Sequence, residues 1–407
     1  MALVVQKYGG SSLATPELIR KVAERVVRKK EEGHDLVVVV SAMGKTTDDL
    51  IRLAEEVAEE PPPREMDMLL SSGEQISMAL LAMAIQDMGY PAISLTGPQA
   101  GIMTDTSHRK ARILEVDTSR VRKELSEGKI VIVAGFQGLS TEGEITTLGR
   151  GGSDRTAVAL AYALGAEGCE IYTDVEGVFT ADPRIVPEAK KIPVISGDEM
   201  LELASSGAKV MEARSVEFAT KYGVEVHVRS TFSDEPGTVI KREDPAMEKV
   251  LVRGIALDTK EAKVTIRRVP DRPGVAAAIF SPLADANINV DMIVQNVSQD
   301  GFTDLSFTVS TSDLKTALAI CEGTKARVGA EEVTADEDVA KVSVVGVGMR
   351  SHAGVAAKMF KALADEGINI EMITTSEIRI SCVVRKEQGE RAVRALHRAF
   401  ELDKEPT

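Results

Sequence analysis

The residues able to do chemistry in this sequence gather at glycine-rich turns. The first is Lys7-Tyr8-Gly9-Gly10-Ser11-Ser12, where a lysine at the end of the apolar run Leu3-Val4-Val5 leads into a Gly-Gly-Ser-Ser turn. Glycines let backbone N–H groups approach a ligand with no Cβ in the way, serines add hydroxyls, and a helix just beyond turns its positive end towards the loop. Such a turn can hold an anion, and Lys7 adds a full positive charge; the same pattern also serves as an ordinary strand-to-helix connection. The second turn, Gly149-Arg150-Gly151-Gly152-Ser153-Asp154, is more specific. It sets a nest of N–H groups at a helix start beside a guanidinium that can grip a carboxylate or phosphate through two parallel bonds. Asp154 reads as a site residue or as a plain N-cap.

Other candidates are less sharply defined. Gly44-Lys45-Thr46 suggests a P-loop, but that pattern needs a glycine where Val39 stands, so the reading is rejected. What remains is a loop at the carboxyl end of a strand, where open α/β sheets bind ligands, with Ser41 and Thr47 as hydroxyl donors or simple turn residues. Glu74, in Ser71-Ser72-Gly73-Glu74-Gln75, interrupts an apolar helical region over residues 65–88; it faces a site or lies on a solvated face, and the residues alone favour the solvated face. The stretch from Thr173-Asp174 through Phe179 to Arg184 can enclose a base and a phosphate, or form a surface hairpin.

The elements that must position these residues follow from the pattern. Thr15-Pro16-Glu17 is an N-cap, a proline at N1 and a first-turn acid, and Leu18, Val22, Val26 and Val27 give one apolar face to a helix ending near Gly33. Residues 36–40, 92–95, 130–134 and the region around Glu170-Ile171-Tyr172 are short apolar strands, and an Ala-rich helix is expected from Ala157 to Leu164. Strand alternating with helix predicts a doubly wound α/β domain.

With 407 residues, two or three domains of about 150 residues are expected. The net charge of −14 argues against a nucleic-acid partner, which needs a broad basic face. Cys169, Cys321 and Cys382 have no metal-ligand spacing and form no even disulfide framework, which points to a reducing compartment. No apolar run reaches the roughly 18 residues of a membrane span and no leader pattern is present, so a cytoplasmic protein without membrane association is expected.

Composition shifts near residues 231–247, and beyond lies an internal repeat. Asp271-Arg272-Pro273-Gly274-Val275-Ala276-Ala277 through Asn287-Ile288-Asn289-Val290-Asp291-Met292-Ile293 returns, without a gap, as Ser351-His352-Ala353-Gly354-Val355-Ala356-Ala357 through Gly367-Ile368-Asn369-Ile370-Glu371-Met372-Ile373. Each copy reads as a strand (263–269; 341–347), a Gly-led helix and a strand opening at Ile-Asn, the split βαβ pattern.

Taken together, the Lys7 and Arg150 motifs, Val40-Ser41-Ala42-Met43-Gly44, Ser72-Gly73-Glu74 and the 173–184 stretch closely resemble aspartate kinases of the amino acid kinase family. The repeat resembles paired ACT domains, small modules that bind amino acids and associate; oligomerisation alone is the plainer alternative. The resemblance spans essentially the whole chain and departs at Lys45, where many relatives carry an acid. It implies an α/β catalytic domain over 1–246 with an open, mostly parallel sheet sandwich, and two ferredoxin-like (βαββαβ) ACT domains over 262–340 and 341–407. It further implies transfer of the ATP γ-phosphoryl group, with Mg²⁺, to the side-chain carboxylate of L-aspartate, under feedback by lysine and/or threonine. An ionised carboxylate needs no general base, so positioning and charge neutralisation would carry the chemistry.

By resemblance, Lys7 stabilises the transferring group and Asp154 orients it. Gly9, Gly10 and Ser11 donate to phosphate oxygens, and Thr173, Asp174, Phe179, Arg184 and Lys209 contact the nucleotide. Arg150 holds the α-carboxylate and Glu74 the α-ammonium of aspartate, with Ser41, Thr47 and Ser153 completing the pocket; no residue-built metal site is expected. Effector contacts fall at Asp271, Arg272, Gly274, Val275, Asn289, Gln295, Asn369 and Ile370. The chain is expected to oligomerise through its ACT domains, and Met247 is either an internal start for a separate regulatory subunit or an ordinary linker methionine.

Overall fold

The computed structural model describes residues 2–242, 251–295, 301–350, 352 and 354–404, so Met247 lies outside the described residues. The chain forms two compact units, one of Met1–Val178, Lys191–Ala204 and Lys209–Pro245, the other of Phe179–Lys190, Ser205–Ala208 and Ala246–Thr407.

The first unit runs β1 (Leu3–Tyr8), α1 (Pro16–Glu31), β2 (Asp35–Val40), α2 (Thr46–Val57), α3 (Pro63–Asp87), β3 (Ala92–Leu95), β4 (Ile102–Thr104), β5 (Ile113–Val116), α4 (Ser119–Ser126) and β6 (Ile130–Ala134). It continues with β7 (Gln137–Ser140), β8 (Ile145–Thr147), α5 (Gly152–Leu164), β9 (Gly168–Thr173), β10 (Val194–Ser196), α6 (Gly197–Ser205), α7 (Ala213–Tyr222), β11 (Val226–Ser230) and β12 (Thr238–Lys241). An eight-stranded sheet has the order β10-β12-β11-β9-β1-β2-β6-β3, parallel except where β11 meets β12; β5-β4-β7-β8 make a smaller sheet. Central strands buried on both faces account for the continuous valine and isoleucine runs in β2 and β6.

Side-chain alternation along β1 decides where the chemistry sits. Val4 and Tyr8 enter a core with Val22 and Val26 of α1 and Leu81 and Ile85 of α3. Lys7 therefore turns to the opposite face, where α5 lies. As expected, Thr15 caps α1 by accepting the Leu18 N–H. Two expectations change. The helix after the second glycine turn starts at Gly152, not Ala157, so Asp154 stands in its first turn and the N-cap is the left-handed Gly151. Helix α3 runs unbroken through Ser71–Gln75, and Glu74 is buried at 3% exposure instead of solvated. Gly73 permits this, since a Cβ there would stand 2.9 Å from the Ala42 Cβ. Although α3 is long and apolar enough to cross a membrane on composition, its Met66, Asp67, Leu70, Leu81 and Ile85 are buried within the unit, as in a core helix.

In the second unit, β13 (Gly254–Asp258) precedes β14 (Glu261–Pro270), α8 (Val275–Asp285), β15 (Val290–Gln295), β16 (Phe302–Ser310), α9 (Leu314–Val328) and β17 (Glu332–Asp336). Then come β18 (Val339–Val345), α10 (Val355–Asp365), β19 (Met372–Thr375), β20 (Arg379–Arg385) and α11 (Gly389–Ala399). The first repeat closes a β15-β16-β14-β17 sheet, the ferredoxin-like order; the second has the equivalent order β13-β18-β20-β19 and takes its fourth strand from the chain before the first repeat. Gly274 and Gly354 are left-handed N-caps at matching places in the two copies. Val347–Arg350 is a 3₁₀ turn, so the second repeat's opening strand ends at Val345.

Candidate active site

Lys7, in register between Val39 of β2 and Ile171 of β9, reaches across to the first turn of α5. Its Nζ lies 2.6 Å from Asp154 Oδ1, with both side chains about nine-tenths buried. The contact is an ion pair without hydrogen-bond alignment, leaving Oδ1 buried and otherwise unpartnered. An aspartate in a helix's first turn is favoured by the helix dipole, so α5 stabilises the anion that holds the lysine.

The Gly-Gly-Ser-Ser turn shapes the space around Lys7. A Cβ on Gly9 would stand 3.5 Å from Lys7 Nζ, and the Gly9 N–H already donates to the Tyr172 carbonyl at 3.2 Å. Gly9 thus leaves room beside the lysine, and its N–H is committed to β9. A Cβ on Gly10 would meet the Ala42 carbonyl at 2.7 Å, so glycine lets the two loops close on each other; the Gly44 N–H donates to the Gly10 carbonyl at 2.9 Å. Ser11 is exposed, while the Ser12 hydroxyl lies 2.6 Å from that of Thr231.

Glu74 reaches the loop after β2, where its Oε1 accepts the Ala42 N–H at 3.1 Å and Oε2 is buried with no partner. Burial pushes its carboxyl from 4.5 up to about 8, against the lowering effect of the hydrogen bonds. Ser41 and Thr47 flank this loop, half-buried.

Arg150 sits between the left-handed glycines Gly149 (φ 77°) and Gly151 (φ 65°), with its side chain exposed and in no ion pair among the described residues. Ser153 is buried against Gly135, where a Cβ would come within 2.8 Å of its Oγ. Arg155, to which the sequence reading gave no role, underpins the loop. Its Nη2 donates to the Leu148 carbonyl and, at 3.0 Å, to the Arg150 carbonyl, and its Nε lies 3.9 Å from Glu212. Burial lowers its affinity for the proton. Asp67 also went unread, although it falls on the same stripe of α3 as Leu70, Ser71 and Glu74; that spacing, an acid inside an apolar face, was the available signal.

The nucleotide candidates divide. Thr173 ends β9 and Asp174 follows it, with the Thr173 hydroxyl donating to Asp174 at 3.1 Å, and Lys209 is exposed in the same unit. Phe179 and Arg184 belong to the segment grouped with the second unit, where Arg184 makes a two-nitrogen contact to Asp182 at 3.0 and 2.9 Å. Of the effector candidates, Asp271, Arg272 and Gly274 occupy the strand-to-helix loop before α8 and Val275 opens that helix; only Val275 is buried. Asn289 and Gln295 are exposed around β15; Asn369 and Ile370 lie just before Glu371 and β19, an edge strand of its sheet as β15 is of the other.

The amino acid kinase family model matches residues 2–230, and two ACT domain models match residues 264–320 and 342–400. An aspartate kinase of Stutzerimonas stutzeri is 54% identical over 99% of this chain and 98% of its own, and an aspartokinase of Pseudomonas aeruginosa is 55% identical over the same shares. Among solved structures, Escherichia coli aspartokinase III in complex with aspartate and ADP is 28% identical with TM-score 0.83, covering 98% of this chain and 99% of that one. The same enzyme with lysine and aspartate has TM-score 0.74 at 27% identity, over the same shares. The chain belongs to the aspartokinases, amino acid kinase family enzymes with two ACT domains at the C-terminal end.

Proposed function

We propose that this enzyme transfers the γ-phosphoryl group of ATP to the side-chain carboxylate of L-aspartate, giving ADP and 4-phospho-L-aspartate. The observation that carries the reading is the buried Lys7–Asp154 pair at the start of α5, one turn beyond an exposed arginine with no ion pair of its own among the described residues. Asp154 holds the Lys7 ammonium at the mouth of the Gly9-Gly10 turn, where it neutralises charge gathering on the transferring phosphoryl oxygens. Gly10 and Ser11 line the phosphates and Gly9 leaves them room. Arg150 pairs with the α-carboxylate, the unpartnered Glu74 Oε2 accepts from the α-ammonium, and Ser41, Thr47 and Ser153 complete the pocket. The attacking carboxylate needs no base to deprotonate it, and the E. coli neighbour bound to aspartate and ADP supports the substrate pair.

Thr173, Asp174, Phe179, Arg184 and Lys209 are assigned to the nucleotide. Mg²⁺ would enter with ATP, held mainly by phosphate oxygens and water, and supply further charge neutralisation; no three His, Cys, Asp or Glu side chains converge among the described residues to cage it. Through the loops at Asp271–Val275 and the β15 and β19 edges, lysine and/or threonine inhibit and the ACT units oligomerise, in keeping with the lysine-bound neighbour. The pathway is lysine, threonine and methionine biosynthesis in the cytoplasm, consistent with three buried, unpaired cysteines. Catalytic and regulatory regions divide near 246, with ACT units centred on 262–340 and 341–407, the second completed by β13 and by the start of β18 at Val339, and a separate regulatory chain starting at Met247 belongs to the same proposal. The test is ADP release dependent on L-aspartate, with hydroxylamine trapping the acyl phosphate as a hydroxamate. Equal ADP release without aspartate, or no hydroxamate, contradicts it.

A further inference from the structure

We propose that Asp67 is a positioning residue for Arg150, acting through the 105–112 loop. This rests on the reading of Arg150 as the substrate-carboxylate ligand. Asp67 is fully buried, and its two oxygens collect donors from three places. The Thr147 hydroxyl donates at 2.5 Å, the Arg109 N–H at 3.1 and 3.0 Å, and the His108 Nδ1 lies 2.7 Å away. The loop is tied to β8 a second time by the Ala111 N–H donating to the Thr147 carbonyl at 3.0 Å.

The tied loop is strained where it matters. Arg109 has φ 67°, a left-handed conformation that a non-glycine residue keeps only when its surroundings impose it, and its N–H is the one held by Asp67. The Arg109 carbonyl then lies against Gly149, where a Cβ would stand 2.9 Å from that oxygen. Gly149 is the residue from which Arg150 projects. From the other side, Arg155 holds the Leu148 and Arg150 carbonyls. The turn bearing Arg150 is thus clamped between a buried carboxylate and a buried guanidinium, which fixes the origin of a side chain that has no ion pair among the described residues.

The test is steady-state ADP release by Asp67→Asn, Asp67→Asn/Arg109→Gly, Thr147→Val and Arg150→Ala, with separate KM values for aspartate and ATP. Asp67→Asn should raise the aspartate KM about tenfold while the ATP KM stays within about twofold, the split expected of lost substrate orientation. Thr147→Val should move the aspartate KM the same way by less, and it supplies the reading if Asp67→Asn fails to fold. Because glycine adopts φ 67° without strain, adding Arg109→Gly should return the aspartate KM to within about threefold of the parent. An unchanged aspartate KM, or equal rises in both KM values with no recovery in the double variant, overturns the proposal. If Arg150→Ala raises the aspartate KM and Asp67→Asn does not, only this proposal fails; if Arg150→Ala leaves it unchanged, the role given to Arg150 fails and this proposal with it.

Discussion

A carboxylate with one oxygen on the Ala42 N–H and the other buried without a partner titrates unlike an exposed one, and the upward shift of Glu74 to about 8 has a definite sign. The folded state binds this proton more tightly than the unfolded chain. The stabilisation is therefore complete below pH 4.5 and is lost as pH rises towards 8. Glu74→Gln should remove that loss, so in the absence of ligand its melting temperature should exceed the parent's above pH 8, while its aspartate KM rises because the neutral amide keeps an acceptor oxygen but loses the charge that pairs with an ammonium. Melting curves at pH 6 and pH 9, with aspartate kinetics, check both directions; equal melting shifts at the two pH values would remove the titration argument.

At the scale of elements, the site depends on how α5 begins. Gly151 has φ 65°, a Cβ there would stand 2.3 Å from the Glu212 Cβ, and its carbonyl accepts the Ser215 hydroxyl at 3.3 Å, so the N-cap of α5 is fitted against the start of α7. Gly151→Ala should destabilise the protein by roughly 1–2 kcal/mol from the left-handed backbone alone, plus the cost of moving Glu212, and raise the aspartate KM. Urea unfolding and kinetics test this; an alanine variant with parent stability would show the helix start to be adaptable. Such details explain what the sequence made legible. Valine runs, the Thr15-Pro16 cap and the glycine turns disclose the sheet, α1 and the Lys7 and Arg150 loops, because propensity and capping act locally. The burial of Glu74 and the true start of α5 were hidden because tertiary packing decides them: a glycine at 73 that admits Ala42, and a left-handed cap at 151. The roles of Asp67 and Arg155 depend on residues tens of positions away or on loop carbonyls, and a linear pattern carries neither.

For the molecule as a whole, the second unit is held by charges that the repeat pattern did not announce. Lys341 of β18, 1% exposed, contacts Asp291 of β15 and, at 3.5 Å, both Glu261 of β14 and the Ser205 carbonyl, tying the two repeats together; Glu371 likewise joins Lys263 and Arg385. Lys341→Met leaves these carboxylates without their cation and should destabilise the second unit by about 3 kcal/mol, the low end of the usual cost because Asp291 keeps 23% of its side-chain surface. Denaturant unfolding followed by a probe in that unit measures it, and an unchanged midpoint would show the ion pairs to be dispensable. Under the proposed function, catalysis refers to one charge, the lysine near the end of β1. The most direct measurement is aspartate-dependent ADP release by Lys7→Ala at saturating ATP and aspartate, with circular dichroism confirming the fold. The prediction is a fall in kcat of at least about a thousandfold with the fold intact. A folded Lys7→Ala variant turning over within about tenfold of the parent would contradict the account.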